Sequence, residues 1–135
     1  MAGSFSATVS AWAQKSEQRM TAVARESAQT LASEIRKPVG EGGRMPVITG
    51  NLRRSLLAST TAMPTIQRDQ REFPDNEEQI TLEIAGWEMG TPLYLGFQAA
   101  YSRVREYDYG FVAMSAQRWQ QIVDESARII QSRVG

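Results

Sequence analysis

Residues 6–37 read SATVSAWAQKSEQRMTAVARESAQTLASEIRK, and the spacing of their apolar side chains decides how the rest of the chain is understood. Val9, Trp12, Met20, Val23, Leu31 and Ile35 recur at helical intervals, with the small Ser16 and Ser27 filling gaps in the same stripe. Between them stand good helix formers such as Ala22, Ala24, Glu26, Ala28 and Glu34. No proline or glycine interrupts the run before Pro38 and Gly40. The pattern predicts one amphipathic helix, roughly 45 Å long at about 1.5 Å per residue. A compact chain of this size has a radius of gyration near 14 Å, and so a diameter of roughly 37 Å. The helix is therefore expected to outreach its own domain and to present a face to a partner.

Outward from that helix the elements are short. Gly40-Glu41-Gly42-Gly43-Arg44 reads as a flexible surface loop. It is not a phosphate cradle, because no strand precedes it and no Gly-Lys-Ser/Thr follows. Thr49 is placed to cap a short helix bearing Leu52 and Leu56. Residues 57–67, rich in Thr and Ala, suggest a strand with Pro64 at an edge or bulge. Residues 68–78 are polar, with turn chemistry at Pro74, Asp75 and Asn76. They do not form a calcium loop, since counting from Asp69 puts Pro74 and Ile80 where Gly and Glu belong. Ile80, Leu82 and Ile84 alternate with Thr81, Glu83 and Ala85, the pattern of a half-buried strand. Together these two strands predict a long β-hairpin with the charged 68–78 segment at its tip. Leu93 to Phe97 predict a third strand, residues 99–107 a short helix, and residues 112–133 a second amphipathic helix bearing Trp119, Ile122, Val123, Ala127 and Ile130. The expected fold is α+β: a long N-terminal and a C-terminal helix packed on a small antiparallel sheet, in one domain over residues 1–135.

Composition narrows the function. There is no cysteine and no histidine, so disulfides, thiolate sites and Ser–His or Cys–His catalysis are excluded. No apolar run is long enough to cross a membrane, and the Met1–Ser6 start lacks the pattern of a signal peptide. Synthesis in a cytoplasm is expected. The 15 basic and 15 acidic residues cancel, unlike a chain that coats nucleic acid. They are unevenly placed, however. Arg36, Lys37, Arg44, Arg53 and Arg54 cluster against Glu41 alone. Asp69, Glu72, Asp75, Glu77, Glu78, Glu83 and Glu88 cluster against Arg71 alone. Such runs serve as solvated loops or as complementary surfaces that meet between neighbouring copies.

Two stretches carry a resemblance to a known family. Pro46-Val47-Ile48-Thr49-Gly50-Asn51-Leu52-Arg53-Arg54-Ser55 resembles a motif of the neck and tail-completion proteins of long-tailed double-stranded DNA bacteriophages, with Ile48 where that family usually has Asp. Ala100 to Tyr107, followed by Gly110-Phe111, is similar to the family's second motif, with Ser102 in place of Ala and Asp108-Tyr109 inserted before the glycine. The resemblance covers most of the chain. It implies a virion protein made in the host bacterial cytoplasm, assembling as a homo-oligomeric ring, often of six copies. That ring joins the tail tube to the head connector, as tail terminator or head–tail joining protein, and DNA passes through its lumen. It implies neither catalysis nor a cofactor or metal, and no membrane.

On this reading Arg44, Arg53 and Arg54 on one side, and Asp69, Glu72, Asp75, Glu77 and Glu78 on the other, are the subunit contacts, since a head-to-tail ring needs two different patches. The hairpin edge offers a second contact, by strand addition to a neighbour. Arg53 and Arg54 have a plainer reading as exposed residues or as partners of Glu106, which suits an ion pair better than a general base. Trp12 and Trp119 are expected in the core, and Tyr101 and Tyr107 between sheet and short helix. The alternative function is a nucleic-acid-binding module using Arg36–Arg54, with salt-sensitive affinity. A carboxylate hydrolase built on Glu77, Glu78 and Glu83 lacks a preorganised setting.

Overall fold

A computed structural model describes residues 2–46 and 50–134, and the side chains among them outside 2–5, 104 and 134. Helix α1 runs Ala2–Ile35 and is followed by a 3-10 turn at Val39–Glu41. Then come α2 (Asn51–Arg54), β1 (Leu56–Ser59), α3 (Glu77–Ala85), β2 (Tyr94–Phe97), α4 (Ser102–Tyr109), α5 (Phe111–Ala116) and α6 (Trp119–Val134). The architecture is α+β, with long N- and C-terminal helices and a two-stranded antiparallel sheet in which Leu56 pairs with Phe97 and Ser59 with Tyr94.

The C-terminal half of α1 is the structural spine. Ser27, Ala28, Ala32 and Ile35 are buried there, against α6, α5 and α3. Small side chains let these helices approach closely. The buried hydroxyls of Ser27 and Ser115 stay satisfied by donating to carbonyls of their own helices, Val23 O and Phe111 O, each at 2.7 Å. Leu56 and Ala58 point inward from β1, and Met45, Phe73, Ile80, Ile84 and Phe111 complete the core. The Phe111 ring meets Phe97 edge-on, with centroids 5.1 Å apart, and so pins α5 to the sheet.

The predicted hairpin does not form. Residues 77–85 are helix α3, and the strand expected over 57–67 ends at Ser59. Alternation misleads here because positions i and i+4 share a face in both periods. Ile80 and Ile84 are 2% and 0% exposed, as either structure would have them. Leu82 discriminates: a strand would bury it with them, whereas it is 64% exposed on the opposite side of α3. Local chemistry also favours the helix. Glu77 and Glu78 sit in its first turn, where the helix dipole favours acids, and the Asp75 carboxylate accepts a hydrogen bond from Glu77 N at 3.1 Å. The edge of β1 is also closed to strand addition at Ala58. Gln79 of α3 donates to Ala58 O and accepts from Ala58 N at 2.7 and 3.2 Å, and the Glu83 carboxylate accepts from Thr60 N.

Three boundaries also move. The second amphipathic helix breaks at residues 117–118, so α5 and α6 are separate. The helix over 99–107 is found three residues later, at Ser102–Tyr109. The glycine-rich segment is a closed turn in which Val39 N donates to Met45 O and Met45 N to Lys37 O, each at 3.0 Å. A Cβ on Gly43 would lie 2.1 Å from Lys37 O, so only glycine fits there. The cap expected of Thr49 falls outside the described residues.

Substitution separates helix from strand at 77–85. Leu82→Lys is expected to change the unfolding free energy by less than about 0.5 kcal/mol, as an exposed position does. Ile84→Ala is expected to cost about 2–4 kcal/mol. Chemical denaturation of both variants checks this, and comparable losses would restore the strand.

Candidate functional site

The first motif builds a joint. The Asn51 side chain accepts from Phe73 N at 2.8 Å and donates to Arg71 O, which fastens the 71–73 segment to α2. Arg54 Nε donates to Phe73 O at 2.9 Å, and Asn76 Nδ2 donates to Arg54 O at 3.0 Å. Arg53 Nε donates to Arg36 O at 3.0 Å, which ties α2 to the end of α1. Gly50 precedes α2 with φ 76°, a left-handed conformation that glycine adopts without strain. The motif residues here brace backbone rather than face a substrate.

The same bonds bring the basic and acidic segments together within one chain. Asp75 and Glu77 lie close enough to Arg36 to favour its charge. Asp69, Glu72, Asp75, Glu77 and Glu78 are all exposed, as is Arg44, whereas Arg53 and Arg54 are half-buried. The charges of these segments that still face outward thus include Lys37 and Arg44 from the basic one, and Arg71 with the five carboxylates from the acidic one.

Arg36 is the one buried basic side chain among the described residues, at 7% exposed. Its Nε has no hydrogen-bond partner. Burial, and then the neighbouring Arg53, lower its pKa below the ordinary guanidinium range, against the opposing pull of Glu77 and Asp75.

The second motif also does structural work. Gly110, at φ 65°, turns the chain between α4 and α5. The Glu106 carboxylate then accepts from Val112 N and Ala113 N, at 2.8 and 2.9 Å, and so caps α5. Its role is a helix cap rather than the ion pair with arginine that the sequence suggested. Tyr107 is 92% exposed and does not pack between the sheet and α4, and Tyr101 is 41% exposed. Glu83 is held by Thr60, while Glu77 and Glu78 are exposed at the start of α3, so these carboxylates share no cleft. Among the described residues no cluster of acids is placed to hold a metal ion, and no helix is long and apolar enough to cross a membrane.

The largest unexplained feature lies on α1. Residues 6–20 are exposed throughout, apart from half-buried Ser16. Within them Val9 is 48%, Trp12 69% and Met20 56% exposed. The stripe runs into an apolar groove of about 450 Å³ between α1 and α6, lined by Met20, Val23, Trp119, Val123, Ala127 and Ile130. The two helices run antiparallel: Arg118 pairs with Glu34 at one end, and Met20 shares the groove with Ile130 and Gln131 at the other. Trp119, 41% exposed, stands at the groove rather than in the core, and Trp12 is likewise not a core residue. Position on the stripe was legible in sequence, but not that burial begins only near Thr21.

No family model, no curated protein and no solved structure matches the chain.

The buried guanidinium yields a stability test. A base whose pKa is lowered by folding is disfavoured in its charged form, and that cost is present at every pH below the lowered pKa. It fades only as the pH rises through that pKa. Arg36→Met keeps the stem and the backbone carbonyl that Arg53 uses. It is expected to hold or raise the unfolding free energy, by up to about 2 kcal/mol, equally across the neutral range. Denaturation at several pH values checks this; a loss above about 1 kcal/mol would mean that an ion pair holds the guanidinium.

Proposed function

We propose that this chain is a structural subunit that closes into a homo-oligomeric ring, of the kind found at the head–tail junction of long-tailed bacteriophages. The observation that carries the proposal is the exposed apolar stripe of α1: a subunit that leaves Trp12, Met20 and Val9 uncovered on one helix is built to be covered by a partner. The likeness of residues 46–55 and 100–111 to the neck and tail-completion motifs says which assembly. In it the ring joins the tail tube to the head-closure or connector protein in the virion, and DNA passes through the lumen without sequence-specific contact. Structural roles for the motif residues Asn51, Arg53, Arg54 and Glu106 fit a scaffold that holds a shape and does no chemistry. The exposed Lys37 and Arg44, and the exposed carboxylates of residues 69–78, are the two unlike groups that this reading assigns to a head-to-tail contact. A nucleic-acid module is less well supported, because Arg36 is buried and Arg53 and Arg54 donate to backbone carbonyls.

Native mass spectrometry and electron microscopy, with and without purified tail tubes, test the proposal. The expected result is a closed ring several times the 15.0 kDa subunit mass, either free or capping tube ends. A chain that stays monomeric alone, with tail tubes and with DNA-filled heads contradicts it.

A further inference from the structure

We infer that the exposed half of α1 in one copy lies in the α1–α6 groove of a second copy. The inference rests on the ring reading only for the geometry of closure; the pairing itself follows from two features of this chain. One is convex: residues 6–20 form a ridge about 22 Å long at about 1.5 Å per residue, with Trp12 as its largest projection. The other is concave: the groove of about 450 Å³ between α1 and α6, floored by Val23, Val123, Ala127 and Ile130. The ridge and one wall of the groove belong to the same continuous helix and meet at Met20, so one copy cannot fold its ridge into its own groove. A second copy offers both at once.

The exposed apolar surface of each copy is divided between ridge and groove. The uncovered parts of Val9, Trp12, Met20, Met89 and Trp119 present on the order of 500 Å² of apolar surface, near the upper end of what a monomer's largest patch shows (about 300–600 Å²). One ridge seated in one groove covers about one such patch, on the order of 500 Å² shared between the two copies, the scale of a weak contact taken singly, which a closed ring repeats at every subunit. A lipid surface fits less well. A helix that lies on a membrane carries a strongly cationic polar face, and residues 6–20 hold only Lys15 and Arg19, with Glu17 against them. Trp12 has the character of an interface anchor, a large aromatic that fills a partner's pocket.

The chain has no cysteine, so single introduced thiols report contacts between copies without background. Ser16→Cys marks the ridge and leaves Trp12 in place; Ala127→Cys marks the groove. The two proteins, carrying tags of different mass, are mixed and mildly oxidised. The expected product is the heterodimer, in large excess over either homodimer. Trp12→Glu added to the Ser16→Cys protein is expected to weaken this association by roughly thirty-fold, as loss of an aromatic anchor does. Trp12 is exposed, so circular dichroism of that variant should match the parent. Absence of the heterodimer, or a Ser16→Cys homodimer of equal yield (ridge against ridge), overturns the inference. Persistence of the heterodimer in the Trp12→Glu protein overturns the anchor role. A heterodimer without rings upholds the pairing and removes the ring reading; rings without the heterodimer do the reverse.

Discussion

The structure depends on the close packing of the C-terminal half of α1. Ser27, Ala28 and Ala32 are small enough for α5, α6 and α3 to approach one helix from several sides. The hydroxyl of Ser27 satisfies itself on its own backbone, so a polar residue can be buried there without an orphaned donor. α3, α5 and α6 are placed directly against α1, and the sheet follows through α3. α3 leans on it through Gln29, which donates to Thr81 O at 3.0 Å, and the 86–91 turn is held by Arg25, which donates to Trp87 O at 2.6 Å. β1 is then sandwiched between β2 and the side chains of α3. A larger residue at Ala28 or Ala32 would push several elements at once, since overpacked cores yield by moving backbone.

The same packing has a consequence at the other end of the helix. Half of α1 is packed on several sides, and the same helix carries the remaining half out beyond the core. Trp12, Met20 and Val9 therefore form a presented surface. Their exposure and the apolar groove beside them make a single physical account: one chain carries both halves of a contact.

Much of this was legible in the amino-acid order, and the rest was obscured for definite reasons. The long helix follows from its spacing and its uninterrupted formers, and the prediction that it outreaches its domain follows from length alone. The α+β class, the strand at Tyr94–Phe97 and the C-terminal amphipathic helix were also readable. The 77–85 segment was not, because Ile80 and Ile84 suit both periods and only the environment of Leu82 decides between them. Burial along α1 does not follow side-chain size: close helix packing selects the small Ala28 and Ala32, whereas the larger Val9, Trp12 and Met20 stay exposed. The charged segments looked like partners across an interface. Their backbone contacts within one chain run through Asn51 and Asn76, whose side-chain amides give no charge signal.

The central claim is that residues 6–20 gain their partner from another copy. Amide hydrogen exchange across a concentration series tests it most directly, because a helix half without tertiary packing opens locally far more often than one that is buried. The account predicts fast exchange in residues 6–20 and slow exchange in residues 24–35 when the protein is dilute. As copies associate, protection should rise in residues 6–20 and along α6 together. Equal protection of both halves of α1 at every concentration, or protection that rises in residues 6–20 while α6 is unchanged, would contradict it.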